Sequence, residues 1–337
     1  MASPGAEGPR LTADHVITED GLALPLRAWL PDEARWPTPT AVVLALHGFN
    51  DYSNAFDAPG QWLAGRGIAT YAYDQRGFGA GPHAGLWAGS EALAADVTAA
   101  AALLGRRHPG VPLYLLGESM GGAVAILALS GPEPPDVQGA ILAAPAVWSR
   151  ETMPLYQRIA LWIAARTIPW ARFTGSGLGI QASDNIEMLR ALGRDPLVIK
   201  ETRVDAMDGL TDLMSAALEA APRLRARALL LYGDKDEVVP RGPSFRFWRE
   251  LPAGAPQRKG LYAEGWHMLL RDLQAEVVLQ DIAAWIETGA GPLPSGADRH
   301  AEAALSEDGA EPEIASETPT PAVPAGAALP AQSRSGS

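Results

Sequence analysis

Cysteine is absent from this 337-residue chain, which excludes disulfides, thiolate metal sites and a cysteine nucleophile. Long apolar runs are missing as well: no stretch approaches the ~18–20 uninterrupted apolar residues needed to span a bilayer. The opening MASPGAEGPRLTADHV has neither the basic n-region nor the apolar h-region of a secretory signal, so the cytoplasm is the expected compartment. Positive charge is scarce, with 27 lysines and arginines against 39 acids and a net charge of −12. Phosphate binding needs a basic face, so no nucleic-acid partner is expected. Nothing in the sequence calls for a metal or a cofactor.

What is present is globular material, 47% hydrophobic, enough to build one large α/β domain or two smaller ones. HVITEDGLALPLRAWL reads as a hairpin around Glu19-Asp20-Gly21. The segments AVVLALHG, IATYAYD, PLYLLG, GAILAAPA and ALLLYGD are continuous apolar runs, suited to strands covered on both faces of a parallel sheet. Helical patterns alternate with them, so the expected fold is α/β, a mostly parallel doubly wound sheet. Residues 1–147 and 223–288 would form its two parts. Residues 148–222 show only helical patterns and are too long for a simple crossover, so they are read as an inserted helical cap. From 289 to 337 the chain is rich in Pro, Ala, Gly, Ser and Glu without an aromatic residue, which predicts a disordered acidic tail.

One stretch carries chemistry. In LYLLGESMGGAVAILAL (Leu113 to Leu129) an apolar strand gives way to an apolar helix through Gly117-Glu118-Ser119-Met120-Gly121. This matches G-x-S-x-G in the strand–turn–helix context that gives the pattern meaning. The glycines remove side chains that would collide in so tight a bend. Ser119 then stands above the sheet as a candidate nucleophile, with the Met120 amide at a helix N-terminus where it can face an oxyanion.

A serine hydroxyl needs a base, and the base an orienting acid. In this arrangement the acid follows the serine and the histidine follows the acid. Of six histidines only His267 and His300 come after Ser119, and His300 falls in the expected tail, so His267 is the candidate base. His15, His83 and His108 read as solvent-facing loop residues, and His47 as support for a loop. The acid is expected in ALLLYGDKDEVVP, which offers Asp234, Asp236 and Glu237; Asp236 is preferred, since Asp234 sits in the turn directly after the strand. Asp74 and Arg76 read as a structural ion pair. The second backbone donor is expected in LHGFND, from the Phe49 amide after Gly48.

Together, LHGFNDYS, YDQRGFGAG, GESMGG, GRDPLVIKE, LYGDKDEVV and YAEGWHMLLRD resemble the monoacylglycerol lipase and lysophospholipase branch of the α/β-hydrolases, often described as serine aminopeptidase-like. The resemblance implies Ser119 as nucleophile, Asp236 as acid, His267 as base, and Phe49 and Met120 as backbone donors. It also implies a small-molecule ester or lipid substrate cleaved through an acyl-enzyme. Phe49-Asn50 departs from the pattern, which has a small residue followed by glycine. In the cap, Leu155, Ile159, Trp162 and Ile163 fall on one helical face. That face either packs onto the core or forms a lipid-facing lid that touches a membrane surface transiently. The same triad could instead serve a general carboxylesterase, thioesterase, carbon–carbon hydrolase or aminopeptidase, or survive in a catalytically silent acyl-binding module.

Overall fold

A computed structural model describes residues 8–175, 179–289 and 291–308. Strands β1 (Arg10–Leu11), β2 (His15–Ile17) and β3 (Ala23–Trp29) form an antiparallel meander. Then come β4 (Ala41–Leu46), α1 (Asp57–Ala64), β5 (Ile68–Tyr73), α2 (Ser90–Arg107), β6 (Leu113–Glu118), α3 (Met120–Ser130) and β7 (Gly139–Ala143). Between β7 and the next sheet strand lie α4 (Leu155–Thr167), β8 (Arg172–Thr174), α5 (Ile186–Arg194), β9 (Glu201–Arg203) and α6 (Val204–Ala220). After these come β10 (Ala228–Gly233), α7 (Arg241–Glu250), β11 (Gln257–Tyr262), α8 (Ala275–Thr288) and α9 (Ala297–Asp308).

Among the described residues nine strands make one sheet in the order β1-β2-β3-β5-β4-β6-β7-β10-β11. From β5 to β11 every pairing is parallel. The apolar runs are explained by what covers them. Val42, Leu44 and Leu46 of β4 join the hydrophobic layer on one face, while Ala41, Val43 and Ala45 join the layer on the other. β10 divides likewise, with Leu230 and Tyr232 on one side and Leu229 and Leu231 on the other. A strand buried on both faces has no polar side to show, so alternation disappears from its sequence.

The strand order reverses between β4 and β6. After β4 the chain moves outward to β5, and α2 then carries it back across to β6 on the other side. The two loops leaving β4 and β6 therefore part in opposite directions and open a crevice above the carboxyl ends of the strands, where ligands of open α/β sheets bind.

Three expectations are corrected. The insertion is not free of strands: β8 and β9 pair antiparallel, Phe173 opposite Thr202. Each is three residues long, below the four or so at which alternation becomes readable. The tail is not disordered from 289, because α9 lies against β11 with Ala297, Asp298, Ala301 and Ala304 buried. Its apolar face is built of alanines at i, i+4 and i+7, a stripe that composition alone files under low complexity. Residues 309–337, the rest of the expected tail, lie outside the described residues. Finally, Asp74 does not pair with Arg76. It accepts from the Ser53 and Ala80 amides at 3.0 and 2.8 Å, while Arg76 binds Asp20 and Asp96.

Candidate active site

Ser119 follows β6 directly and adopts φ 52°, ψ −115°, a conformation that costs a non-glycine residue about 1–3 kcal/mol and persists only where its surroundings enforce it. They do. The Ser119 amide donates to the Ala143 carbonyl of β7 at 3.0 Å, and the Ser119 carbonyl accepts from the Ala146 and Ala123 amides. Glycine is required on either side. A Cβ on Gly117 would stand 2.6 Å from the Gly121 carbonyl oxygen, and one on Gly121 only 2.0 Å from that of Leu46. The bend is thus held down on β4 and β7, and Ser119 is pushed into the crevice.

Gly48 stands beside it, where an added Cβ would lie 3.5 Å from that of Ser119. Among the described residues neither the Phe49 nor the Met120 amide finds an acceptor, so both donors of the expected pair are uncommitted. The Phe49 side chain is buried edge-on against Phe78, centroids 5.6 Å apart, near Trp87. His47 supports this loop, as expected. Its Nε2 accepts from the Gln75 amide at 2.9 Å, so Nδ1 carries the proton and donates to the Gly48 carbonyl at 2.8 Å. Complete burial holds its pKa below the ordinary value, against the pull of the Gly48 carbonyl, Asp51 and Asp74, and keeps the ring neutral.

His267 and Asp236 meet from two loops, after β11 and β10. His267 Nδ1 lies 2.8 Å from Asp236 Oδ2, and both side chains are almost fully buried. Asp236 Oδ1 accepts from the Val238 and Val239 amides at 2.7 and 2.9 Å. A carboxylate so fixed leaves Nδ1–H as the donor and Nε2 free to accept a proton. Burial works against the imidazolium, but Asp236, helped by Glu118 and Asp272, outweighs it and raises the His267 pKa above its ordinary value. Asp234 turns the other way and binds Arg241 at 2.7 Å.

Ser119 and His267 line one cavity of about 370 Å³. Its wall is largely apolar, with Trp148, Met153, Leu161, Met207, Leu210 and Phe173 among the contributors. One charged group interrupts it, which sequence reasoning missed. Arg271 binds Asp51 at 2.8 Å and Glu118 at 2.9 Å, all three side chains nearly buried. Among the described residues Glu118 Oε1 and Arg271 Nε find no partner. Burial opposes the charge on Arg271, but the two carboxylates outweigh it and raise its pKa. Asp272, next in sequence, is pushed up to about 6 chiefly by burial. It accepts from Ser183 Oγ and the Trp266 amide, tying the insertion to the histidine loop.

The other histidines are elsewhere. His83 is exposed, whereas His15 belongs to β2 and His108 is half-buried against the Tyr71 hydroxyl at 2.9 Å, so these two are not free loop residues. His300 is not in a tail: it sits on α9, its Nδ1 3.1 Å from the Leu261 carbonyl.

A serine on a strained strand-to-helix bend above a mostly parallel sheet is the mark of the α/β-hydrolases, and the solved structures agree on the fold. A monoacylglycerol lipase from Paleococcus ferrophilus matches with TM-score 0.65 and 22% identity, over 78% of this chain and 98% of that one. A soluble variant of monoglyceride lipase from Saccharomyces cerevisiae, in complex with a substrate analog, matches with TM-score 0.68 and 21% identity, over 85% and 100%. In sequence the chain is similar to monoglyceride lipase of Rattus norvegicus, 26% identical over 299 residues, 84% of this chain and 95% of that protein. It is also similar to monoacylglycerol lipase of Mycolicibacterium smegmatis, 25% identical over 280 residues, 79% and 93%. The family described as "Serine aminopeptidase, S33" matches residues 37–274. This chain belongs to that family.

Proposed function

We propose that the protein is a carboxylic ester hydrolase that works through an acyl-enzyme on Ser119, with monoacylglycerols or lysophospholipids as its substrate class. The observation that carries the reading is the shared cavity: a serine held at φ 52° opens on the same space as a histidine backed by a buried carboxylate at 2.8 Å. In this reading His267 Nε2 takes the Ser119 proton as Oγ attacks the ester carbonyl. The Phe49 and Met120 amides receive the negative charge on the carbonyl oxygen. His267 then protonates the departing alcohol, and water repeats the cycle on the acyl-enzyme.

The substrate class rests on the names of the relatives and on the two characters of the cavity. Its apolar wall suits an acyl chain. The charged group of Asp51, Glu118 and Arg271, with two unpartnered polar atoms, suits the hydroxyls of a small polar alcohol. The helical cap of residues 148–222 would admit the chain. On α4 the side facing the cavity carries Gln157, Ala160, Leu161 and Ala164. Leu155, Ile159, Trp162 and Ile163 stand exposed on the opposite side, which favours lid contact with a lipid surface. Among the described residues no helix is long and apolar enough to cross a membrane.

Replacing Ser119 by Ala tests the assignment. Hydrolysis of p-nitrophenyl butyrate should fall by about 10⁶-fold, and fluorophosphonate labelling should vanish, while circular dichroism stays that of the parent. Near-normal turnover would refute the nucleophile.

A further inference from the structure

The loop leaving β4 passes through Asn50 at φ 65°. This is left-handed territory, easiest for glycine, with asparagine the side chain that tolerates it best. Since glycine would satisfy the backbone at lower cost, the side chain needs its own explanation. Asn50 is 2% exposed, and its Nδ2 donates to Thr202 Oγ1 at 2.7 Å across 152 positions of sequence. Beside this bond the Asn50 carbonyl accepts from the Ile199 amide at 2.9 Å, and the Tyr52 hydroxyl donates to Asp195 Oδ2 at 2.7 Å.

Each end of the Asn50–Thr202 bond leads to the cavity. Thr202 lies on β9 directly opposite Phe173 of β8, and Phe173 is part of the cavity wall. β9 runs without a break into α6, whose Val204, Met207 and Leu210 also face the cavity. At the other end, Asn50 follows Phe49, whose amide is uncommitted. Beside the Ile199 and Tyr52 bonds to the insertion, this buried side-chain bond thus joins the substrate-lining ribbon itself to the loop that carries the oxyanion donor.

We propose that Asn50 is a positioning residue: by holding Thr202 it fixes the Phe49 amide relative to the β8–β9 ribbon, so that the insertion and the oxyanion donor keep one register. The inference rests on the reading of Phe49 as a backbone donor. Asn50 itself touches no reacting atom. Its effect is on where Phe49 N–H points, and displacements of about 1 Å in such groups cost up to about 100-fold in rate.

Asn50→Gly keeps the left-handed backbone and removes the tether. Thr202→Val removes the acceptor at nearly constant shape, and Thr202→Ser restores it. The readouts are kcat and KM on p-nitrophenyl butyrate and the Ki of a trifluoromethyl ketone, whose hemiketal oxygen occupies the same donors. Both Asn50→Gly and Thr202→Val should lower kcat by about 10- to 100-fold with KM little changed. Both should weaken the ketone by a similar factor, Thr202→Ser should recover kcat, and the double variant should lose no more than either single one. Parental kcat and ketone affinity in Asn50→Gly would overturn the proposal, as would a loss confined to thermal stability or losses that multiply in the double variant. Failure of the catalytic reading itself would show separately, as activity surviving Ser119→Ala.

Discussion

Two positions separate Asp234 from Asp236, yet Asp234 binds Arg241 near the surface while the Asp236 carboxylate is fully buried against His267. The surroundings divide their roles. Asp236→Asn should lower kcat on p-nitrophenyl butyrate by about 10⁴-fold, because the amide favours the wrong imidazole tautomer. Asp234→Asn removes only a partly exposed ion pair, of the kind worth about 1 kcal/mol or less, and activity should stay near the parent's. The raised pKa of His267 gives a second prediction. The base must be neutral, so activity is lost as pH falls through the folded-state pKa, and the acid limb of kcat/KM should lie above pH 6.5. Its contribution to stability runs the other way: the pair favours the imidazolium, so that stabilisation is present below the ordinary value and lost as pH rises through the raised one. Glu118→Gln, which removes one of the raising charges, should move the acid limb to lower pH, and a pH–rate profile of the two proteins checks it. At this scale the meeting of His267 and Asp236 was legible because chain order and strand ends constrain it. The Arg271 cluster was not: its partners stand 220 and 153 positions away, and no local pattern announces so distant a pairing.

The helix α4 shows what periodicity can and cannot say about an element. Its spacing identifies a helix with one apolar face, and the structure has that helix over Leu155–Thr167. Periodicity does not say which way the face looks, and packing onto the core is the ordinary outcome. Here no residue of α4 is buried, and Trp162 is 54% exposed beneath the Arg166 guanidinium. Replacing Trp162 and Ile163 by Ser should therefore reduce sedimentation with phosphatidylcholine vesicles. It should leave hydrolysis of soluble p-nitrophenyl acetate unchanged and shift the melting temperature little, since solvent-facing changes usually fall within about 0.5 kcal/mol. Equal vesicle binding by parent and variant would remove the case for a lipid contact through this helix. The β8–β9 ribbon lies at the other limit of legibility, because three-residue strands leave too few positions for a pattern to emerge.

Over the whole molecule, the large features were readable because many residues vote for each one. Continuous apolar runs alternating with helices required a sheet covered on both faces, and both layers are there. Residues 289–308 misled because their helix buries alanines instead of large side chains. α9 nonetheless contributes to both layers, Ala301 and Ala304 to one and Ala297 to the other, where Leu293 from the segment before the helix joins it. Ala301 is fully buried, so Ala301→Glu would force a carboxylate into apolar surroundings. It should destabilise the fold by about 3 kcal/mol or more, seen as a lowered midpoint in urea. Glu302→Ala, at an exposed neighbour, should leave the midpoint in place.

That helix also changes what the sheet offers to its surroundings. Among the described residues β11 is the outermost strand on its side, paired with β10 alone, and an uncovered row of amides and carbonyls there would be a template on which another chain could add a strand. With α9 laid along it and only the two-residue β1 at the opposite margin, recruitment of a tenth strand is blocked at one border and poorly rewarded at the other. A stretch whose composition predicts a disordered tail thereby guards the border of the sheet against self-templated growth.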